Sequence, residues 1–145
     1  MYKHILVPTD GSQLATQAVD KALELASVLG AEVTFLMVVE PFYTFGIDVE
    51  FQEGTRVKYE AQASAAARKI LAEATAKAGV LGVASDEILV QSDLPYEAII
   101  ETAATRGCDL IAMASHGRRG FAAVLLGSQT MKVLTHTTLP VLVYR

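Results

Sequence analysis

Two rhythms of apolar residues alternate along this chain. His4 to Val7, Val33 to Val39, Glu87 to Val90, Leu110 to Ala114 and Pro140 to Tyr144 are short, mostly apolar runs, the pattern of strands in a parallel sheet covered on both faces. Between them the apolar positions fall at helical spacing. Leu14, Ala18, Leu25, Val28 and Leu29 lead from Ser12, a good N-cap, to Gly30, a suitable residue just past a helix end. A long helix is expected from Glu53 to Ala78, where Val57, Ala61, Ala65, Ile70 and Leu71 make a thin apolar stripe among Ala, Glu, Lys and Arg before Gly79. Pro95 suits a first helical turn, and Ile99, Ile100 and Ala103 carry that helix to Gly107. Ser128 to Thr135 reads as the last helix. Strands alternating with helices imply an α/β fold with a parallel sheet and right-handed crossovers.

Length and composition narrow this picture. At 145 residues and 52% hydrophobic, the chain suits one domain with one buried core and leaves no room for a second. Phe42, Tyr43, Phe45 and Phe51 fall in a connection too aromatic for a free linker, so they are expected to pack onto the domain. Twelve basic against sixteen acidic residues give a net charge of −4, which argues against general affinity for nucleic acid or anionic membranes. The lone Cys108 cannot form an internal disulfide and reads as a buried, inert thiol. MYKHILVPTDGS at the N-terminus is neither a signal peptide nor a spanning helix, and a cytoplasmic protein is expected.

The candidate chemistry lies in Ile111 to Thr130, IAMASHGRRGFAAVLLGSQT, where an apolar strand runs into a loop rich in Gly and Arg and then into a helix start. Gly117 and Gly127 can adopt positive φ or let an anion approach the backbone. A helix beginning near Ser128 presents unpaired N–H groups and the positive end of its dipole, so a phosphate there needs neither base nor metal. The local pattern also fits an ordinary N-cap and a solvated Gly117-Arg118-Arg119-Gly120 loop.

With Ala114, Gly117, Gly127 and Ser128 on its fixed positions, this segment resembles the nucleotide-binding signature of the universal stress protein family, Gly-x2-Gly-x9-Gly-Ser/Thr. Ala114 stands where Gly is usual; if that position needs positive φ or backbone close to a ribose, its methyl weakens binding. The resemblance covers residues 1–145. It implies an open five-stranded, Rossmann-like parallel sheet of order 3-2-1-4-5 with helices on both faces. The first and fourth strands are then neighbours at a topological switch point, where ligands bind at the carboxyl ends of strands. On the same resemblance Pro8, Thr9 and Asp10 line the nucleotide, with Asp10 near the ribose or a magnesium ion carried by the nucleotide. The backbone at Val38 meets the adenine edge, and Met113 and Ala114 flank the ribose. The backbones of Gly117, Gly127, Ser128 and Gln129 hold phosphates, the hydroxyls of Ser128 and Thr130 add donors, and His116 touches phosphate. Arg118 and Arg119 either screen phosphate charge or are solvated.

Other nucleotide and phosphate chemistries fit less well. A Walker-type NTPase needs Gly-x4-Gly-Lys-Ser/Thr, and a dinucleotide fold needs Gly-x-Gly-x-x-Gly after its first strand; here that strand is followed by Thr9-Asp10-Gly11-Ser12. A receiver domain needs an acidic pair after the first strand and a lysine near the fifth, whereas Asp10 stands alone and Leu139 to Arg145 holds no lysine. Spacing suited to a Cys/His metal site is also missing. The expectation is an ATP-binding stress-response regulator with little or no turnover, dimeric through its C-terminal strand and acting on a further protein partner. The alternatives are a family member that has lost nucleotide binding and serves as a dimeric interaction protein, or a slow ATPase or phosphotransferase.

Overall fold

In the computed structural model, residues 1–41, 49–117 and 126–145 are described, the side chains of 49–52 excepted. The expectations for Phe42, Tyr43, Phe45, the Phe51 side chain, Arg118, Arg119 and Gly120 lie outside the described residues. Strands and helices alternate as β1 (His4–Pro8), α1 (Gln13–Leu29), β2 (Glu32–Val39), α2 (Val49–Val80), β3 (Ser85–Gln91), α3 (Pro95–Thr105), β4 (Leu110–Ala114), α4 (Ser128–His136) and β5 (Val141–Tyr144). The five strands form one sheet in the order β3-β2-β1-β4-β5, and every pairing is parallel.

Side chains alternate across the sheet as the pleat requires. On one face Ile5, Val7, Val33, Phe35 and Ala112 pack against Val19, Ala22, Leu23 and Ala26 of α1 and Ala67, Leu71, Ala74 and Ala78 of α2. On the other, Leu6, Leu36, Ile111 and Met113 meet Ile99 and Ala103 of α3 and Val133 of α4. Phe35 at the centre is wholly buried; truncating such a residue to alanine costs about 3–5 kcal/mol. Cys108 is buried as expected, and that burial pushes its thiol up to about 11. Among the described residues no helix is long and apolar enough to cross a membrane.

The helix ends explain most boundaries. Ser12 caps α1 by accepting the Ala15 N–H, and Gly30 closes it at φ 66° with its own N–H on the Ala26 carbonyl. Ala18 is buried and Leu14, Leu25 and Leu29 pack at the rim of the core as expected, but Val28 is exposed and Ala15, Ala22 and Ala26 fill the centre of the contact. Alanines bring helix and sheet close together, and larger residues flank that contact.

The expected stripe of α2 is corrected more strongly. The helix begins at Val49 and runs through Gly79 to Val80, and the left-handed glycine that follows is Gly82 at φ 69°. Val57 is 57% exposed, and Ala61 and Ala65 are exposed too. Leu71 is buried and Ile70 packs against the core as expected, and Ala67, Ala74 and Ala78 complete the buried seam with Leu71.

Candidate functional site

The loops after β1 and β4 meet at the carboxyl end of the sheet. β1 and β4 are hydrogen-bonded neighbours, and their connections lead to opposite faces, α1 to one and α4 to the other. This is a topological switch point, which opens a crevice between the two loops. The loops touch across it: a Cβ placed on Gly117 would fall on the Asp10 carboxylate. Glycine is needed at 117 for this approach and not for its dihedral angles, since positive φ occurs at Gly11, Gly30, Gly82 and Gly107.

The β1 side is held by short-range hydrogen bonds. Pro8 ends the strand beside Leu36, and the Thr9 N–H donates to the Leu36 carbonyl at 2.9 Å. Thr9 Oγ1 accepts the Gly11 N–H at 3.2 Å, and Asp10 Oδ1 accepts the Ser12 N–H at 3.0 Å. These side-chain turns let the chain leave the strand sharply and aim Asp10 at the opposite loop. Val38, near the end of β2, and Met113, in β4, both belong to the cluster on the α3 and α4 face.

On the β4 side the roles of several expected residues change. Gly127 lies at φ −69° and ψ 163° as the N-cap of α4, with no side-chain cap. Its N–H donates to the Ser115 carbonyl at 2.6 Å, so that donor is taken by the protein. An added Cβ would sit 3.1 Å from His116 Cβ and 3.2 Å from His116 Cα. A side chain at 127 would therefore crowd the backbone at His116, and the negative φ corrects the expectation of positive φ there. Thr130 is 2% exposed and donates its hydroxyl to the Ala114 carbonyl at 3.0 Å; the extra donor expected there is spent tying α4 to β4.

Ala114 sits inside β4 opposite Tyr144. Its methyl packs with Ala15 and Ala18 of α1, and among the described residues none other than glycine has positive φ. The strain considered for an alanine here therefore does not arise. Ser128 is exposed at the first position of α4. The N–H groups of Ser128, Gln129 and Thr130 open the helix, where the ladder offers no acceptor. The Gln129 side chain turns away to α3, its Oε1 accepting the Tyr96 N–H at 3.0 Å.

His116 is half-buried, and its Nδ1 lies 3.1 Å from Ser115 Oγ. Ser115 was not among the expected residues, although its carbonyl anchors Gly127 and its hydroxyl holds His116. Its place in Ala-Ser-His-Gly is visible in sequence; its partner Gly127, much further along the chain, is not. Ser115 is 2% exposed, too buried to serve as a nucleophile. Among the described residues no three His, Cys, Asp or Glu side chains converge on a metal-sized site.

The arrangement can thus take an anion at the start of α4, a flat apolar group against Val38 and Met113, and a hydrogen-bonding group at Asp10. Known proteins share this fold. The pattern of the Universal stress protein family matches residues 1–145. A universal stress protein of Thermus aquaticus is 32% identical over the full length of both chains. The structure of MJ0577 from Methanocaldococcus jannaschii superposes with a TM-score of 0.83 at 29% identity, covering 99% of this chain and 95% of the other. A universal stress protein solved in complex with cAMP superposes at 0.73, with 26% identity and 99% and 97% covered. This chain belongs to the universal stress protein family.

Proposed function

We propose that this protein binds an adenine nucleotide, with ATP the expected form, and acts as a cytoplasmic stress-response regulator with little or no turnover. The observation that carries the reading is the start of α4, a helix whose glycine N-cap offers no side-chain acceptor and which opens onto the crevice beside Asp10. The relative solved with cAMP, a nucleotide with the same base, supports it. The N–H groups of Ser128 and Gln129 hold phosphate with the help of the helix dipole. Gly117 and His116 border the phosphates, Pro8, Thr9, Met113 and Ala114 border the sugar, and the Val38 backbone meets the base. Gly127 and Thr130 act indirectly by fixing the geometry of the loop.

The donor set suits a nucleotide better than an isolated metal. Magnesium is a hard cation that keeps waters and shares phosphate oxygens, and Asp10 is placed to approach such an ion. Turnover needs a positioned base or nucleophile. His116 Nδ1 is engaged by Ser115, whose own hydroxyl is buried and shielded from a substrate, which supports a reading of little turnover. The reading in which nucleotide binding has been lost rested on Ala114, and its methyl lies under α1.

ATP with magnesium should raise the melting temperature. Ligand at a hundred times Kd adds about 2.7 kcal/mol, a shift on the order of 5–10 °C for a domain of this length. No shift at millimolar ATP would sink the reading, and phosphate release at roughly 1–10³ s⁻¹ would make the protein an enzyme instead. We also propose a homodimer through β5, which pairs with β4 at the sheet edge and leaves Leu142 36% exposed. An apolar edge strand is a liability unless another chain covers it; a monomer in sedimentation at micromolar concentration would refute the dimer.

A further inference from the structure

The first turn of α3 is incomplete by itself. Its N-cap, Leu94, makes no side-chain cap hydrogen bond, and Pro95 fills the next position without an N–H. The Glu97 and Ala98 N–H groups both reach the Leu94 carbonyl, at 3.1 and 3.2 Å. That leaves the Tyr96 N–H, and Gln129 Oε1 accepts it from α4, 33 residues away in sequence. Gln129 is also the second residue of α4, so its own N–H belongs to the turn that faces the crevice. One residue thus ends in two helix starts, with its backbone at the ligand and its side chain at α3.

Tyr96 extends the connection outward. Its ring lies 5.3 Å from the His136 ring at the end of α4 and 5.5 Å from Lys132 Nζ, while its hydroxyl donates to Glu97 at 3.2 Å. Tyr96 therefore grips α4 at both ends, through its N–H at the start and its ring at the finish. A small movement of the α4 start has to move Tyr96 or break one of these contacts.

We infer that Gln129 is a positioning residue that couples occupation of the α4 start to the order of the α3 first turn, making the surface formed by Tyr96, Glu97, Lys132 and His136 a readout of nucleotide binding. The coupling rests on the nucleotide reading above; the cap on α3 does not. A neutral carboxamide suits the dual position. Alanine would leave the Tyr96 N–H without its acceptor, whereas glutamate would cap α3 but place negative charge beside a phosphate. Because coupling is reciprocal, whatever the nucleotide does for α3, the cap does for the nucleotide.

The test is residue-level amide exchange on the full chain with and without ATP and magnesium, alongside equilibrium dialysis of ATP. In the native protein ATP should slow exchange at Tyr96 roughly fivefold. Without ligand, Gln129→Ala should speed Tyr96 exchange roughly tenfold. The same variant should bind ATP about fivefold more weakly and lose the ATP effect at Tyr96. Gln129→Glu should keep Tyr96 protected while weakening ATP, which separates the cap from the phosphate contact. A purely structural role for Gln129 would leave Tyr96 exchange insensitive to ATP in the native protein, and that result overturns the coupling. Unchanged exchange in ligand-free Gln129→Ala would overturn the cap itself. If dialysis shows no ATP bound to the native protein, the nucleotide reading and the coupling fail together, and the ligand-free comparison still decides whether Gln129 caps α3.

Discussion

At the start of α1, three side chains close the turn: Thr9 Oγ1 accepts the Gly11 N–H, Asp10 Oδ1 that of Ser12, and Ser12 Oγ that of Ala15. At the start of α4, on the other side of the same crevice, Gly127 has no side chain to offer and gives its N–H to Ser115. Both helices begin after a strand at the switch point, and both point a positive dipole end toward it. They differ in what is left for a ligand. The first turn of α1 consumes donors through its own sequence, whereas the first turn of α4 is built so that only its N-cap donor is consumed. The comparison teaches that a glycine N-cap carries information a Ser or Asp cap does not, because it leaves the acceptor to come from elsewhere.

The largest effect should come from Gly127→Val, which breaks the contrast at its source. A branched side chain cannot fit 3.1 Å from His116 Cβ. Overpacking of this kind costs about 1–3 kcal/mol, so the melting temperature should fall on the order of 5–10 °C and the increment due to ATP should vanish with the loop geometry. A variant that melts like the native protein would show that the loop yields freely. Ser12→Ala probes the other helix start. Losing its cap should cost about 1 kcal/mol, seen as an earlier thermal transition, with the ATP increment retained; an increment lost here would mean that α1 is also part of the anion site. Gly117→Ala should be the gentlest on the fold and the most selective for the crevice. Its methyl displaces the Asp10 carboxylate, the movable end of a side chain, so stability should stay within about 0.5 kcal/mol. ATP affinity should fall roughly tenfold if Asp10 contacts the ligand, and calorimetric titration showing unchanged affinity would remove Asp10 from the site.

Much of this architecture was legible before any coordinates. The sheet order followed from the family resemblance, and the switch point from that order. Ser12 and Gly30 fulfilled their expected capping roles because both act within a few residues of their own helix. The α2 stripe was misplaced for a physical reason: a helix so rich in alanine has little contrast between its faces, and only packing selects Ala67, Ala74 and Ala78 over Ala61 and Ala65. Gly127, Thr130 and Gln129 make contacts that the sequence does not announce. Their partners are the Ser115 carbonyl, the Ala114 carbonyl and the Tyr96 N–H, backbone atoms that any residue type would present, so no side-chain pattern announces them. Ala114 was weighed by analogy with glycine, and only the direction of its methyl toward Ala15 and Ala18 shows why alanine is accommodated.

The central place of β1 also has a consequence for how the molecule is made. This strand can pair with β2 early in synthesis, but its β4 neighbour arrives far later; the hydrogen bonds from the Lys3 N–H to Asp109 at the same end of that pair span 106 residues. Closing so long a loop costs entropy before any contact repays it, which places such parallel pairings late in folding. The crevice exists only once β1 and β4 are joined. A half-synthesised chain that holds β1, α1 and β2 in register still lacks the pocket, so a ligand that binds there reports only on molecules in which β1 and β4 are joined.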